Sequence, residues 1–275
     1  MGDRPVIGFL TDFGLDGAAA ICRGVMLSIA RDAQIVDICH TVRKYAVRDG
    51  AYLLWSAVPW LPVGVHVAVV DPGVGTERRP IALRAERGDV LVGPDNGLLL
   101  PAARRLGGVT GARLLDNADW RLPETSATFH GRDVFAPVAA HLAVGAPFEA
   151  AGSPINPGSL VELGFPAPSV EPARLGSAVL YVDSFGNLRL AGGAADLAAA
   201  LGEVELGARL EIELADASPA RAEPARWSRT FGEAQSGELL LYVDSTGNLA
   251  LAVSNGNAAL ALGVESGTRL GIRRA

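Results

Sequence analysis

The first 150 residues alternate between short apolar runs and segments with the periodicity of amphipathic helices. This alternation predicts strands joined by helical crossovers, and so an N-terminal α/β domain whose central, mainly parallel sheet is flanked by helices. The segments with strand character are Val6–Leu10, Ile35–Cys39, Val65–Val70, Ile81–Ala85 and Val90–Val92. The segments with helical character are Ala18–Ala30, Val47–Ala57, Leu98–Arg105 and Asp133–Ala143.

A proline-rich segment follows the alternating region. Residues 153–173 contain five prolines and no periodicity. Because proline removes a backbone donor and blocks helix formation, this composition indicates a connecting segment. We therefore expect an N-terminal domain over residues 1–155, a linker over 156–174 and a C-terminal domain over 175–275.

The C-terminal part contains an approximate internal repeat. The sequences VLYVDSFGNLRL at 179–190 and LLYVDSTGNLALAV at 240–253 share an Asp-Ser-x-Gly-Asn core between apolar flanks. Such turn-forming residues between strand-like runs predict two β-hairpins, and hence a small, β-barrel-like domain. Turn chemistry alone would also account for both copies of the motif.

The composition is that of an ordinary soluble globular protein, and the charge pattern leads us to expect a small-molecule partner. Of the 275 residues, 49% are hydrophobic and 20% are charged, and the net charge is −6. No run of basic residues offers the electrostatic attraction that non-specific nucleic-acid binding requires. The only lysine, Lys44, does not lie in a Walker-type phosphate loop.

Neither a metal site nor a membrane segment is indicated. The two cysteines, Cys22 and Cys39, lack metal-binding spacing and lie in apolar surroundings, so we expect both in the core. The N-terminal residues show no secretory signal. Two prolines and a glycine interrupt the uncharged stretch at 51–70, so it does not predict a membrane-spanning helix. We expect a cytoplasmic protein.

Four polar clusters lie where predicted strands end or a helix begins, which is where α/β proteins place ligand sites. They are TDFG at 11–14, VVDPGVGTERRP at 69–80, GPDNGLL at 93–99 and TFHGRD at 128–133. Each also has a structural explanation: Asp12 and Asp95 could cap turns or helices, Asp71 could form a plain turn, and Gly131 could give a flexible helix start. Their joint occurrence predicts a site.

Among the four histidines, His130 is the candidate for chemistry. It stands between an aromatic residue and a glycine at the start of a predicted helix, which favours an accessible ring, although a structural role is also open. His40, His66 and His141 fit core or capping positions better.

Asp71, Arg78 and His130 could together form an acid/base group. An arginine keeps a neighbouring carboxylate ionised, and the carboxylate can orient an imidazole or a water molecule. Whether the three side chains meet cannot be read from their spacing.

Taken together, the motifs TDFG, DPGVGT-x-R, PDNGLL, FHGRD, VDSFGN and SNGNAA (254–259) resemble those of the S-adenosyl-L-methionine (SAM) hydroxide adenosyltransferases, or SAM hydrolases. These enzymes are related to the SAM-dependent fluorinases and chlorinases. The similarity covers nearly the whole chain in order and spacing. It implies a homotrimer that converts SAM to adenosine and L-methionine at subunit interfaces, with no metal or other cofactor.

The resemblance also implies roles for individual residues. It makes Asp71, Arg78 and His130 the catalytic group. Asp12 matches a carboxylate that holds the ribose hydroxyls, and Tyr45 matches an aromatic residue beside the ribose and adenine. The substrate-binding set further comprises Phe13, Asp183, Asn187, Phe231, Ser245, Val253, Asn257 and Ala258.

Within the C-terminal part of this set, the implied roles are more specific. Asp183 matches a contact to the methionine amino group, and Phe231 an aromatic residue that stacks on the purine. Asn187 and the backbone near Val253 and Ala258 match the adenine contacts. Ser245 matches the methionine end, whereas Thr246 stands where the fluorinase has an arginine.

Two alternatives to hydrolysis remain. The halogenases have tyrosine in place of Asp71 and a residue other than histidine at position 130, and a carboxylate near the nucleophile repels halide ions. A halide adenosyltransferase, chlorinase-like, is therefore the nearest alternative. A non-catalytic sensor that binds SAM or adenosine is the other.

The expected chemistry is an in-line displacement at C5′ of SAM. Methionine leaves as a neutral thioether, so the difficulty lies with the nucleophile, which Asp71, Arg78 and His130 would position. Holding two reactants in a near-attack arrangement can supply about 7–11 kcal/mol. A histidine is a natural base and Arg78 would orient or stabilise the anion, but which member takes the proton is left open.

Overall fold

The computed structural model describes residues 4–214 and 221–275. The chain divides into two compact units, Met1–Gly164 and Phe165–Ala275. The point of division lies inside the proline-rich segment.

The first unit is an α/β domain with a mostly parallel sheet, which confirms the predicted fold class. In its described part the sheet has six strands in the order β2-β1-β3-β5-β4-β6, with β4 antiparallel to both of its neighbours. The strands are β1 (Val6–Thr11), β2 (Gln34–Cys39), β3 (Val65–Val69), β4 (Pro80–Ala85), β5 (Val90–Pro94) and β6 (Val109–Leu114). The helices are α1 (Ala18–Ile29), α2 (Val47–Ala57), α3 (Leu100–Arg105) and α4 (Ala136–Ala143).

Helices cover both faces of this sheet. In β1, Ile7 and Phe9 are fully buried in a cluster with residues of α1 and α4. Alternate residues of a strand point to opposite faces, so Leu10, also fully buried, faces the side on which α2 packs against β1. Burial on both faces explains why the sequences of the central strands are continuous apolar runs.

The first turn of the predicted helix 133–143 has a different geometry. Residues Gly131–Phe135 form a π-helical turn that continues into α4. Pro137 has no N–H, so the carbonyl of Asp133 is free to accept a hydrogen bond from the backbone N–H of Leu122 at 2.9 Å. The turn therefore ties the start of α4 to the segment that precedes His130.

Two other elements differ from the prediction. Helix α3 begins at Leu100 rather than Leu98, because the side-chain oxygen of Asn96 accepts the N–H of Leu98 in a turn. Strand β6, Val109–Leu114, was not predicted. It is a half-exposed edge strand with polar residues, so it lacks an apolar run.

The second unit contains a closed seven-stranded β-barrel, as the β-barrel-like prediction anticipated. Its order is β8-β9-β13-β12-β11-β10-β14, and pairing between β14 and β8 closes it. The strands are β8 (Arg174–Val182), β9 (Leu188–Gly193), β10 (Arg209–Leu214), β11 (Arg221–Trp227), β12 (Leu239–Val243), β13 (Asn248–Val253) and β14 (Arg269–Arg274). Helices α5 (Ala194–Leu201) and α6 (Ala258–Leu262) complete the unit.

The internal repeat forms the two predicted hairpins. The first copy is β8–β9, the second is β12–β13, and β9 pairs with β13. Their inward-facing residues, among them Leu188, Leu241 and Leu251, are fully buried in the barrel core.

The proline-rich segment is not entirely irregular. Its residues Ser169–Glu171 form a short strand, β7, which pairs with the start of β8 outside the closed barrel. These three residues lie between prolines and so retain the backbone donors that pairing needs.

The two cysteines occupy different environments. Cys22 lies in the core, as predicted, and burial raises the pKa of its thiol to about 12. Cys39 is only partly buried, at the end of the edge strand β2, so the prediction that it lies in the core was wrong. Within residues 4–214 and 221–275, no helix is long and apolar enough to cross a membrane.

Candidate active site

The polar motifs of the first unit meet at one edge of its sheet. Strands β1, β3 and β5 are parallel neighbours, so their carboxyl ends lie side by side. Asp12 follows β1, Asp71 follows β3 and Asp95 follows β5. The backbone N–H of Asp12 donates to the carbonyl of Val69 at 3.3 Å, which joins the first two ends directly.

Asp71, Arg78 and His130 are in contact. The Nε of Arg78 donates to Oδ1 of Asp71 at 3.1 Å, and its Nη2 donates to Oδ2. The same Nη2 lies 3.1 Å from Nδ1 of His130. The side chains of Asp71 and Arg78 are 5% and 7% exposed, so the ion pair is almost dry.

Two glycines allow the loops of this cluster to approach each other. Gly75 has a φ of +78°, and a Cβ there would lie 2.6 Å from the carbonyl oxygen of Ala127. At Gly131, a Cβ would lie 2.8 Å from the ring of Phe13. The loop between β3 and β4 therefore packs against the segment that leads to His130, and that segment packs on Phe13.

The electrostatics of the cluster favour a neutral imidazole. Burial lowers the pKa of His130, and the positive charge of Arg78 lowers it further, against a smaller opposing effect of Asp71. Because a guanidinium can only donate, Nδ1 of His130 must accept, and the ring proton is then on Nε2. In the described part of the chain, Nη1 of Arg78 is buried with no hydrogen-bond partner.

Asp12 and Tyr45 also come together. The backbone N–H of Tyr45 donates to Oδ2 of Asp12 at 2.9 Å. Tyr45 has a φ of +66°, which is costly for a residue with a side chain, and its side chain is largely exposed. Phe13 instead packs edge-to-face on Phe129, with ring centroids 5.7 Å apart.

The second unit has a cavity of about 1030 Å³. Five of the residues expected to bind substrate line it, namely Asp183, Asn187, Phe231, Ser245 and Val253. The ring of Phe231 lies 5.2 Å, centroid to centroid, from that of Tyr242 in the cavity wall.

Arg189 contacts three polar side chains of this cavity and is not among the site residues expected from the sequence. Its Nη2 donates to Oδ2 of Asp183 at 3.3 Å, and its Nη1 lies 3.2 Å from Oδ2 of Asp244. Nη1 also lies 3.3 Å from the hydroxyl of Tyr242. The signal available in the sequence was a lone charge in an otherwise apolar strand, together with the second aspartate of the repeat.

The repeat explains why two carboxylates face one arginine. In each copy the aspartate Oδ1 accepts the backbone N–H groups two and four residues ahead, which fixes the turn. The Oδ2 atoms of Asp183 and Asp244 both face Arg189, and that of Asp183 also accepts a hydrogen bond from the side-chain amide of Asn187 at 3.1 Å.

Two of the substrate-binding residues expected in the second unit do not line the cavity. Asn257 caps α6, because its Oδ1 accepts the N–H of Leu260 at 2.8 Å, and its amide packs against Gly186 of the first hairpin turn. Ala258 is fully buried in the barrel core. Among the residues that the structure describes, no group of three or more His, Cys, Asp or Glu side chains is arranged to hold a metal ion.

Comparison with protein families agrees with the resemblance of the motifs. The SAM hydroxide adenosyltransferase N-terminal domain matches residues 7–152, and the C-terminal domain of the same family matches residues 177–271.

Individual relatives match over almost the full chain. The chain is 50% identical over 273 residues to an (R)-S-adenosyl-L-methionine hydrolase of Salinispora tropica, covering 98% of each protein. It is 29% identical over 298 residues to a fluorinase of Actinopolyspora mzabensis, again with 98% of each covered. A crystal structure of an uncharacterized conserved protein from Thermotoga maritima superposes with a TM-score of 0.89 at 34% identity, covering 98% of this chain and all of that one. With both domain models matched in order, the chain belongs to the SAM hydroxide adenosyltransferase family.

Proposed function

We propose that this protein hydrolyses SAM to adenosine and L-methionine. The observation that carries the proposal is the dry cluster of Asp71, Arg78 and His130 at the carboxyl edge of the sheet, one strand away from Asp12. The Salinispora tropica relative, 50% identical with 98% of each protein covered, is named as a hydrolase of this substrate, which supports the same assignment.

The reaction needs an oriented oxygen nucleophile rather than an acid for the leaving group. The sulfonium makes C5′ of SAM electrophilic, and the methionine thioether departs without a charge. Water or hydroxide must approach opposite the C5′–S bond. The proposed reaction uses no metal or other cofactor, because the substrate itself supplies the activated carbon.

The cluster suits the task of holding that oxygen. Among the described residues, Nη1 of Arg78 is a buried donor with no hydrogen-bond partner, and Nε2 of His130 carries the ring proton. In this proposal both groups donate to the nucleophilic oxygen. Donors placed where negative charge lies are effective in a dry site. Asp71 accepts two hydrogen bonds from Arg78 and so fixes the plane of the guanidinium.

This geometry supports orientation of the nucleophile over proton removal by His130. Nδ1 already accepts from Arg78, and the pKa of the ring is lowered, so the imidazole is a weak base. In this proposal the oxygen of a water molecule bonds to C5′ as the C5′–S bond breaks, and the proton that this water loses goes to solvent.

The cavity of the second unit is proposed to hold the adenine and the methionine end of SAM. Asp183 and Asp244 around Arg189 give a net charge of −1, which suits a ligand with an ammonium and a sulfonium. Phe231 and Tyr242 provide aromatic surface for the purine. Asp12 would accept hydrogen bonds from both ribose hydroxyls.

We make two further proposals, the second of which the family resemblance implies. One is the cytoplasmic location expected from the sequence. The other is a homotrimer with its sites at subunit interfaces, which light scattering coupled to size-exclusion chromatography would test: the mass of three chains is expected, and a monomer that turns over SAM would contradict it.

The decisive experiment is turnover of SAM in ¹⁸O-labelled water, with and without excess chloride, followed by mass spectrometry. We expect adenosine labelled at its 5′ oxygen together with L-methionine. A 5′-chloro product would place the protein with the halide adenosyltransferases. Intact SAM despite measurable binding would favour a sensor.

A further inference from the structure

One polar motif of the first unit has no part in the chemistry above. Asp95 and Asn96 directly follow β5, at the same edge of the sheet as Asp71. The side chain of Asp95 is 3% exposed, so its charge is nearly buried. Such a carboxylate needs partners: its Oδ1 accepts the backbone N–H of Val161 at 2.9 Å, and its Oδ2 contacts Arg79, at one end of the loop that carries Asp71 and Arg78.

Asp95 holds the far end of that loop. Its Oδ2 accepts a hydrogen bond from Nε of Arg79 at 2.8 Å and a second one from Nη2. Its backbone N–H donates to the carbonyl of Arg79 at 2.9 Å. Arg79 directly follows Arg78 in the chain. These side-chain and backbone contacts therefore fix the backbone next to Arg78, whose guanidinium belongs to the cluster.

Asn96 holds the near end. Its Nδ2 donates to the carbonyl of Val70 at 2.9 Å, and its Oδ1 accepts the N–H of Leu98 at 3.2 Å, which sets the orientation of the amide. Val70 is the neighbour of Asp71. Two adjacent side chains therefore fix the backbone on either side of the loop at 71–78.

We propose that Asp95 and Asn96 are positioning residues that hold Asp71 and Arg78 in register with each other, and through Arg78 with His130. The proposal rests on the proposed function for its kinetic consequence, but its geometric consequence does not depend on the reaction. A displacement of about 1 Å in a reacting group can lower a rate about 100-fold.

The chain contains matched controls for both residues. Asp89 stands immediately before β5 and pairs with a nearby arginine, Arg87, at 2.7 Å, but at the opposite end of the strand. Asn117 makes the same two kinds of bond as Asn96: its Nδ2 donates to the carbonyl of Ala150 at 2.7 Å, and its Oδ1 accepts the N–H of Asp119 at 3.0 Å. None of these control contacts involves the loop at 71–78.

The experiment compares Asp95→Asn with Asp89→Asn and Asn96→Ala with Asn117→Ala. Unfolding temperature, kcat and KM for SAM are measured well below the unfolding temperature. We expect all four variants to lose stability, whereas only Asp95→Asn and Asn96→Ala lose kcat, by about 10-fold or more, with KM changed far less. Wild-type kcat in Asn96→Ala and Asp95→Asn, or equal losses of kcat in the controls, would overturn the proposal.

A readout without turnover separates this proposal from the proposed function. Titration of the His130 ring by NMR reports its contact with Arg78 even in a protein that does not hydrolyse SAM. We expect Asn96→Ala to shift this titration and Asn117→Ala to leave it in place. An unchanged titration in folded Asn96→Ala would refute the positioning role. If Asp95→Asn or Asp89→Asn does not fold, the asparagine pair still decides the question.

Discussion

Each unit of the molecule contains an arginine held by carboxylates, and the two clusters differ in charge and in access to solvent. In the first unit Arg78 pairs with one aspartate and contacts a neutral histidine, so the cluster carries no net charge. In the second unit Arg189 faces two aspartates, which leaves a charge of −1. Asp71 and Arg78 are 5% and 7% exposed, whereas Asp183 and Arg189 are 17% and 23% exposed. Asp244 is 2% exposed, and all three residues of the second cluster line a wide cavity.

The same residue types can therefore serve either a reaction or the binding of a ligand, depending on net charge and exposure. A dry, neutral cluster with free donors can hold a small oxygen nucleophile without binding it so tightly that it becomes inert. An open cluster with excess negative charge attracts a cationic ligand and adapts to it. The first should therefore control kcat and the second KM.

The largest effect is expected from Asp71→Asn and His130→Ala. Loss of the carboxylate frees the guanidinium to rotate, and loss of the ring removes one donor, so kcat should fall about 100-fold or more. SAM binding, measured by calorimetry, should change much less. Unchanged turnover in both variants would remove this cluster from the mechanism.

A smaller effect, on KM rather than on kcat, is expected from Arg189→Lys. A single ammonium cannot span both carboxylates, so the cavity wall loses a charged hydrogen bond and KM for SAM should rise about 10-fold with little change in kcat. Arg174→Lys is the matched control, because Arg174 also bridges two carboxylates of this unit, Glu171 and Glu213, away from the cavity. A lower kcat at unchanged KM in Arg189→Lys would contradict the expectation that the first cluster controls kcat and the second controls KM.

The pH dependence of kcat sharpens the description of the first cluster. Burial and Arg78 keep the pKa of His130 below its ordinary value of 6.5, so the ring is mostly neutral at pH 6.5 and above. Lowering the pH from 8 to 6.5 should therefore reduce kcat by about twofold at most through this group, with the main loss at lower pH. A midpoint above pH 6.5 that disappears in His130→Ala would contradict the lowered pKa.

The smallest effect is expected from Thr246→Val. The hydroxyl of Thr246 donates to Oδ1 of Asp244 at 2.6 Å, beside a backbone N–H that remains. Its loss should reduce the free energy of unfolding by about 1 kcal/mol, measured by urea denaturation, and raise KM less than Arg189→Lys does. If Thr246→Val raised KM more than Arg189→Lys does, the turn between β12 and β13, rather than Arg189, would make the larger contribution to SAM binding.

Much of the fold could be predicted from local pattern. Helix α2 has the predicted bounds, Val47–Ala57, because its apolar face repeats with helical period. The two hairpins could be predicted from the turn residues of the repeat. Strand β6 could not, since its half-exposed, polar sequence resembles a loop and becomes a strand only by pairing with β4. The π-helical turn at Gly131–Phe135 likewise depends on the contact between Asp133 and Leu122.

The candidate site, like the fold, could be predicted from the sequence only in part. The residue types of Asp71, Arg78 and His130 indicated an acid/base group, but their contact spans 52 residues between Arg78 and His130. The role of Arg189 could not be predicted from its sequence context. It depends on two partners, Asp183 on the turn of its own hairpin and Asp244 on the turn of the other hairpin.

The α/β alternation, the hairpins of the repeat and the motifs of the family follow from local sequence, because each depends on residues close together in the chain. Three features follow only from the folded structure: which nitrogen of His130 accepts, the contact of Arg189 with two aspartates, and the contacts of Asp95 and Asn96 with the ends of the loop at 71–78. These contacts depend on the order and register of the strands, which bring distant residues within hydrogen-bond distance only after the sheet and the barrel have formed.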